Sequence, residues 1–465
     1  MKIVMFAINP LYPDQVLGGA PKHLHNVAVH LGELGHQVRV YCTQDESPIP
    51  FNWHANVTVL PQLRFSLPFP LPYDIPAYHF ANAIADIAGD LRDAERFYMH
   101  AGELLFAPIT SHAPSVVSLR DNVYPETMVG AFNFTGDALI AISQYSAATY
   151  SATAGRFYPD WGERLHVVNN GLDWERFRPM QPERIFEYVS VDPAQHAILL
   201  HPHRPEPSKG LERTIAVADR LIKTHGIDNL RVLTPRWVDS ATSSEVTAYL
   251  DKLRRMIKER GIEEHFVFHG WIPQSLMHEY YNLGDVLLAP GHFAEAFGNV
   301  PYESLGCGTP AIVTRVSTHR SLLPDALIDK VHYGDDETMA AIAADIIKTG
   351  RRTSPETMAY LHEHYGIAAQ LAAYADIILN TQKRGPLAYR FTPQTADTHY
   401  VLAPWCYTWN GNVFHDYKAE HTLMPDLVRL VTEHPGGFTV GVAEPGAVDA
   451  WYREGYIVPE YFNQI

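Results

Sequence analysis

A chain of 465 residues, 46% hydrophobic and 19% charged, is long enough for two or three globular domains and too apolar to be disordered over most of its length. Its 36 lysines and arginines against 52 aspartates and glutamates leave a net charge of −16, which argues against a surface that binds nucleic-acid backbones or anionic membranes as a whole. Cys42, Cys307 and Cys406 form no C-x-x-C pair, so neither a disulfide framework nor a structural zinc site is suggested, and a reducing, cytoplasmic compartment fits.

The opening MKIVMFAINP has one lysine and an apolar run that stops at Pro10, too brief for a secretory h-region or a membrane span, and reads as a first strand. A turn-rich loop follows, then a helix with Leu24, Val27, Ala28 and Leu31 on one face, then the strand QVRVYCT after Gly35. That order predicts a parallel sheet with helices on its faces. The proline- and aromatic-rich stretch from Ser47 to Asp74 reads as an irregular excursion over the sheet edge. Strand patterns return at VVSL, ALIAIS and LHVVNN. After a proline-containing joint near Pro179 to Pro193 the alternation resumes, with AILLHPH, LRVLTP, HFVFHGW, DVLLAP and AIVTRV as strands. Helical patterns run from Glu337 to Thr381. From Pro386 the alternation stops, and three of the eight tryptophans (Trp405, Trp409, Trp451) mark an appended α+β element.

The chemistry concentrates after DVLLAP. The loop GHFAEAFGN leads into a short helix expected to begin near Val300, with Pro301 where a missing amide is harmless and Gly306 and Gly308 ending it. Amides around Gly298, Asn299 and Val300 then sit at the positive end of a helix dipole, where a phosphate binds. Glu303, placed in the helix's first turn, can accept hydrogen bonds from vicinal hydroxyls, and Glu295 can reach a second polyol beyond the phosphate. That pattern suits a sugar nucleotide. Two glutamates flanking a turn, met alone, more often just face water.

The stretch EAFGNVPYESLGCGTPAIVT resembles the two-glutamate motif of the retaining GT-B glycosyltransferases, the group 1 or family 4-like enzymes. HRPEPSKG resembles their G-R-x-x-x-x-K-G block, with His203 in place of the leading glycine; VVNNGLDWERFRP and LGGAPKHLHNVAVHLGELGH resemble their interdomain and N-terminal glycine-loop motifs. Together these cover roughly residues 1 to 380. The resemblance implies an α/β, GT-B architecture of two Rossmann-like domains facing across a cleft: an acceptor-side domain over 1–178, a nucleotide-sugar domain over 179–365, a helix crossing back over 366–385, and an aromatic-rich extension over 386–465.

It also implies roles. Arg204, Lys209 and Glu295 would be catalytic, the two cations neutralising the leaving diphosphate; Gly18, Gly19, Phe297, Gly298, Asn299, Val300 and Glu303 would bind the donor, Glu303 through its ribose. His100, Arg120, Asp121 and Asn170 are candidates for acceptor or sugar contacts. Many relatives carry a histidine where this chain has Arg120, and arginine cannot act as a base. His100 is a candidate substitute, although a lone histidine is more often structural. No cofactor and no metal is expected: the cations stand in for one, His23 and His25 point apart on a helix, and His201 and His203, on one strand face, lack a third ligand.

The expected activity is retaining transfer of a hexose from a nucleotide-diphosphate sugar, with a uridine donor favoured as the common one in the family. The hydroxylated acceptor (glycan, lipid or small molecule) and the oligomeric state, a homodimer included, stay open. Alternatives are a catalytically silent sugar-nucleotide binder or scaffold, a same-fold pyridoxal-dependent phosphorylase, for which no motif is present, and a same-fold enzyme acting on nucleic acid, against which the charge argues. The tail is expected to pack on the first domain, shape its acceptor side, and leave the donor site untouched.

Overall fold

The first strand, β1 (Lys2–Phe6), is buried from Ile3 to Phe6, as a strand must be that has neighbours on both edges and layers on both faces. The computed structural model describes residues 1–13, 19–43, 49–65, 75–101, 110, 112–236 and 244–460. Around β1 lie β2 (Gln37–Thr43), β3 (Phe51–His54), β4 (Val57–Leu63), β5 (Arg96–His100), β6 (Ser115–Leu119), β7 (Ala138–Ala141) and β8 (Leu165–Val167), in the order β3-β4-β2-β1-β5-β6-β7-β8. All neighbours are parallel except β3 and β4. Leu24, Val27, Ala28 and Leu31 of the helix Gly19–Glu33 join Ile3 and Met5 in one core, which Tyr374, Ala375 and Ile378 of the helix Ile367–Asn380 complete.

The expected irregular excursion from Ser47 to Asp74 is corrected in its middle. β3 and β4 occupy it, and Val57, Val59, Leu60 and Leu63 are buried. Prolines dominated the composition, but Pro61 sits just where the β2–β4 register shifts, between Cys42 and Thr43, a place where a ladder tolerates a missing amide.

The second sheet is built from β9 (Ala197–Leu200), β10 (Leu230–Pro235), β11 (Phe266–His269), β12 (Val286–Ala289), β13 (Ala311–Thr314) and β14 (Asp329–Val331), all parallel, in the order β11-β10-β9-β12-β13-β14. β9, β12 and β13 are buried throughout. The chain divides into two compact units: Met1–Asn170 with Ala368–Phe414 and Thr422–Ile465, and Gly171–Ile367 with His415–His421. Each unit is thus a Rossmann-like α/β sheet, and each sheet reverses its winding once, between β1 and β5 and between β9 and β12. Ligands of such sheets bind at the carboxyl ends of the strands flanking that reversal.

In the tail, β15 (Tyr400–Leu402) pairs antiparallel with β19 (Ile457–Pro459), and β16 (Cys406–Trp409), β17 (Asn412–His415) and β18 (Glu420–Leu423) form a three-stranded sheet. Trp405, Leu427, Leu430, Phe438 and Tyr456 share a core with Tyr145 and Ala152 of the helix Gln144–Ala152. The turn between β17 and β18 belongs to the second unit. No helix among the described residues is long and apolar enough to cross a membrane.

Candidate active site

At the reversal point of the second sheet, the loops leaving β9 and β12 cross backbone on backbone. His292 N donates to Ser208 O at 2.9 Å, and a Cβ on Gly291 would lie 2.4 Å from that same oxygen. A Cβ on Gly210, at φ +79°, would lie 2.9 Å from Gly291 Cα. Only glycine permits such an approach, and the crossing sets Lys209 beside Glu295. Lys209 Nζ lies 2.6 Å from Glu295 Oε1 and 3.9 Å from the centre of the Phe293 ring. Both side chains of the pair are about one-fifth exposed (18% and 23%). The carboxylate takes one of the three ammonium hydrogens.

Glu295 leads into Gly298, which caps the helix Asn299–Gly306 in a left-handed conformation (φ +73°, ψ 71°). Gly298 is packed on the ring of His319, from the short 3-10 helix Ser317–Arg320 that follows β13; a Cβ there would lie 2.7 Å from its Cε1 and 3.4 Å from Glu295 Cγ. His319 Nδ1 shares a hydrogen bond of 2.8 Å with Tyr302 Oη. Burial, reinforced by Lys209 and opposed by Glu295, pulls the His319 pKa down to about 4, so the ring is neutral at pH 7. Glu303 is buried and accepts a hydrogen bond from Tyr281 Oη at 3.0 Å. Because the helix starts at Asn299, Glu303 is its fifth residue, one step beyond the first turn in which the sequence reading put it.

The donor-side residues named from the sequence thus fall into one neighbourhood, with differences. Lys209, Glu295 and Gly298 are linked by the contacts above, and Asn299 and Val300 open the helix. Phe297 is buried, its ring 5.6 Å from those of Tyr302 and Tyr365, so its side chain is packing. Arg204 is half exposed and pairs with Glu206 at 3.0 Å, not with Glu295. His201 and His203 lie beyond the end of β9 rather than on its face, because the strand stops at Leu200. Their rings are T-shaped, 5.3 Å apart, and His201 Nδ1 is bonded to Thr214 Oγ1. Among the described residues no group of three His, Cys, Asp or Glu side chains could hold a metal ion.

The first unit carries a second polar cluster at its own reversal point. Gly19 opens the helix there, with open space where a Cβ would stand; Gly18 lies outside the described residues. His100 ends β5 and shares a hydrogen bond of 2.9 Å with Tyr98 Oη; its ring stacks on His23, 5.4 Å away. Among the described residues neither nitrogen of His23 has a partner, and burial holds both imidazoles well below their ordinary pKa, helped by the Arg120 charge. A cavity of about 20 Å³ is lined by Ala7, Asn9, Ala20, Leu24 and His100. Arg120 donates to Tyr374 Oη and to Asn170 Oδ1, both at 3.0 Å, and Gln370 donates to the same Asn170 oxygen. Asp121 is engaged in its own turn, accepting from the amides of Val123 and Tyr124 and from Thr127 Oγ1. Of the four acceptor candidates, then, Arg120 and Asn170 are bonded together, Asp121 caps a turn, and His100 faces the cavity.

Sequence reasoning passed over His319, Phe293, Tyr281 and Tyr374. A signal existed for His319: it follows the end of the strand next to β12, on the edge where the other site loops emerge. Tyr281 and Tyr374 sit inside helices far along the chain and carry no local mark.

Two family models match, "Glyco_transf_4" (Glycosyltransferase Family 4) over residues 17–176 and "Glycosyl transferases group 1" over residues 188–351. Among curated proteins, the chain is 27% identical over 221 residues to a D-inositol 3-phosphate glycosyltransferase 2 of Catenulispora acidiphila (46% of this chain, 50% of that one). It is 29% identical over 188 residues to a GDP-mannose-dependent alpha-(1-6)-phosphatidylinositol monomannoside mannosyltransferase of Mycobacterium tuberculosis (38% and 44%). The chain spans half or less of the length of these relatives. Solved structures with the same fold include Anabaena HepE in complex with UDP (TM-score 0.63, 18% identity, 82% of this chain and all of that one) and a sucrose-phosphate synthase from Thermosynechococcus elongatus (0.66, 15%, 81% and 98%). The two matched stretches take in the second sheet, the first sheet except β1, and every residue of the donor-side neighbourhood, and the chain belongs to the group 1 glycosyltransferases of GT-B fold.

Proposed function

We propose that this protein transfers a hexosyl group from a nucleotide-diphosphate sugar to a hydroxylated acceptor with retention of anomeric configuration. One observation carries this: at the reversal point of the second sheet, the Lys209–Glu295 pair stands beside a glycine-capped helix start. Amides at a helix start favour an anion, and the largely buried Lys209 ammonium, with one of its three hydrogens on Glu295, brings a cation beside them. In the proposed reaction, the bond from the anomeric carbon to the β-phosphate oxygen breaks and its electron pair stays on the phosphate. Lys209, Arg204 and the amides of Gly298 to Val300 stabilise the charge that grows there. The acceptor oxygen bonds to the anomeric carbon on the same face, and its proton passes to the leaving phosphate. Glu295 orients donor hydroxyls, and Glu303 holds the ribose.

A relative is named for GDP-mannose and a structural neighbour was solved with UDP; a uridine donor stays the preferred reading, since the fold and not the base contacts is what the comparison shares. On the acceptor side, His100, Arg120 and Asn170 remain the candidates, Arg120 and Asn170 as a bonded pair and His100 at the cavity. Calorimetric titration with UDP, GDP and ADP, followed by assay for hydrolysis of UDP-glucose and GDP-mannose, tests the proposal. A protein that binds none of the three diphosphates does not do this chemistry.

A further inference from the structure

The turn between β17 and β18 brings a buried carboxylate to the donor-side loops. Asp416, whose side chain is fully buried, receives a two-pronged contact from Arg320, Nη1 to Oδ1 at 2.6 Å and Nη2 to Oδ2 at 2.9 Å, and accepts from Ser317 N at 3.2 Å. Both partners belong to the 3-10 helix Ser317–Arg320, which carries His319. Ser317 holds φ +49°, a left-handed conformation that a serine adopts only when its surroundings impose it. At the other end of the turn, His421 Nε2 donates to Tyr333 O at 3.2 Å. The Tyr333 ring packs edge-on against His292, 5.5 Å away, in the loop that crosses the Lys209 loop. The tail therefore touches the Ser317–Arg320 segment directly and reaches the His292 loop through Tyr333, which corrects the expectation that it leaves the donor side untouched.

We infer that the turn His415–His421 braces the donor site and that Asp416 is a positioning residue, holding Ser317–Arg320 so that the His319 ring seats Gly298 and aims the amides of the following helix at the donor diphosphate. This rests on the function proposed above. A forked Arg–carboxylate contact fixes direction as well as distance, and a site built on loops needs such outer support to hold its geometry. The effect should be selective: amides at Gly298 contact the diphosphate, whereas Glu303, a turn further along, holds the ribose and should be unmoved.

The test titrates the full-length protein with UDP and GDP, and with UMP and GMP. Wild-type protein should bind one of the diphosphates. Asp416→Ala should weaken that diphosphate about tenfold while leaving the matching monophosphate within about twofold, and Asp416→Asn should shift in the same direction by less. Adding Ser317→Gly to Asp416→Ala, which lets the turn keep its positive φ without the brace, should recover much of the loss. If wild type binds neither diphosphate, the proposed function falls and takes the inference with it. If wild type binds and both Asp416 variants match it, only the inference falls. If di- and monophosphate weaken together and Ser317→Gly recovers nothing, the turn supports the fold alone and the inference is overturned; should Asp416→Ala not fold, Asp416→Asn decides by the same criterion.

Discussion

The ring of His319 occupies the place where a side chain on Gly298 would begin. A Cβ there falls 2.7 Å from Cε1 and 3.0 Å from Nε2. Two penalties should meet in Gly298→Ala: about 1 kcal/mol for an alanine at φ +73°, and about 1–3 kcal/mol for overpacking against the ring. Adding His319→Ala should relieve the second and leave the first. Denaturant unfolding of the two single variants and the double variant checks this, and strictly additive losses would show that the ring and the glycine are not coupled.

Lys209→Ala should lower turnover at saturating donor by about a hundredfold or more, because its charge opposes a charge that grows as the glycosidic bond breaks. The same change leaves Glu295 without its cation, so Lys209→Arg is the useful companion: it restores charge but not the compact ammonium over Phe293. Turnover equal to wild type in Lys209→Ala would remove Lys209 from the chemistry.

Glu303→Ala should act on affinity. Ribose hydroxyls do not change on the way to the transition state, so their contact is uniform binding. Donor KM should rise about tenfold, corresponding to about 1.4 kcal/mol, with kcat within about threefold. Tyr281→Phe, which deletes the hydrogen bond at 3.0 Å to Glu303, should move KM the same way by less. An unchanged donor KM in Glu303→Ala would refute the ribose assignment.

Acid should unfold the protein early. Burial lowers the pKa of His201 to about 3 and of His319 to about 4, and holds His23, His100 and His203 well below the ordinary value. The unfolded chain takes up these protons near pH 6.5 and the folded chain does not, so stability is complete above that pH and is lost as pH falls from about 6.5 towards the folded values. Each such histidine contributes a slope of about 1.4 kcal/mol per pH unit in that window. His201→Asn, which can still accept from Thr214, should flatten the slope by that amount between pH 6 and 5. Identical slopes for wild type and variant in urea unfolding would contradict the neutral buried state of His201.

Strand runs such as AILL, VLLA and AIVT were legible because a buried parallel strand is apolar along its whole length, and the glycine-capped helix was legible from Gly298 and Pro301. β3 and β4 were hidden by the prolines around them, since composition averages over a window wider than strands of four and seven residues. Lys209 and Glu295 were named from a motif, but their pairing was not readable: it depends on a backbone crossing at Gly291 and Gly210, and although Gly210 closes the HRPEPSKG block, nothing in the sequence couples it to Gly291. Asp416 was invisible for the same reason. Its partners, Ser317 and Arg320, lie about a hundred positions earlier, and no local pattern couples two points so distant on the chain.

The first unit's core is not contiguous in sequence. Tyr374, Ala375 and Ile378 finish a cluster begun by Ile3 and Leu24, yet they follow the whole stretch from Gly171 to Ile367. On the ribosome, β1 to β8 therefore emerge with an apolar face that the helix Gly19–Glu33 covers only in part, the remainder waiting until the second sheet has already been synthesised. The second unit, continuous but for its turn at His415–His421, is free to fold as soon as Ile367 clears the exit tunnel. Birth order and folding order are thus inverted: the sheet made first closes last, and a chain interrupted near Ile367 lacks the Tyr374 ring over His23 and Tyr98 and leaves that patch for chaperones to find.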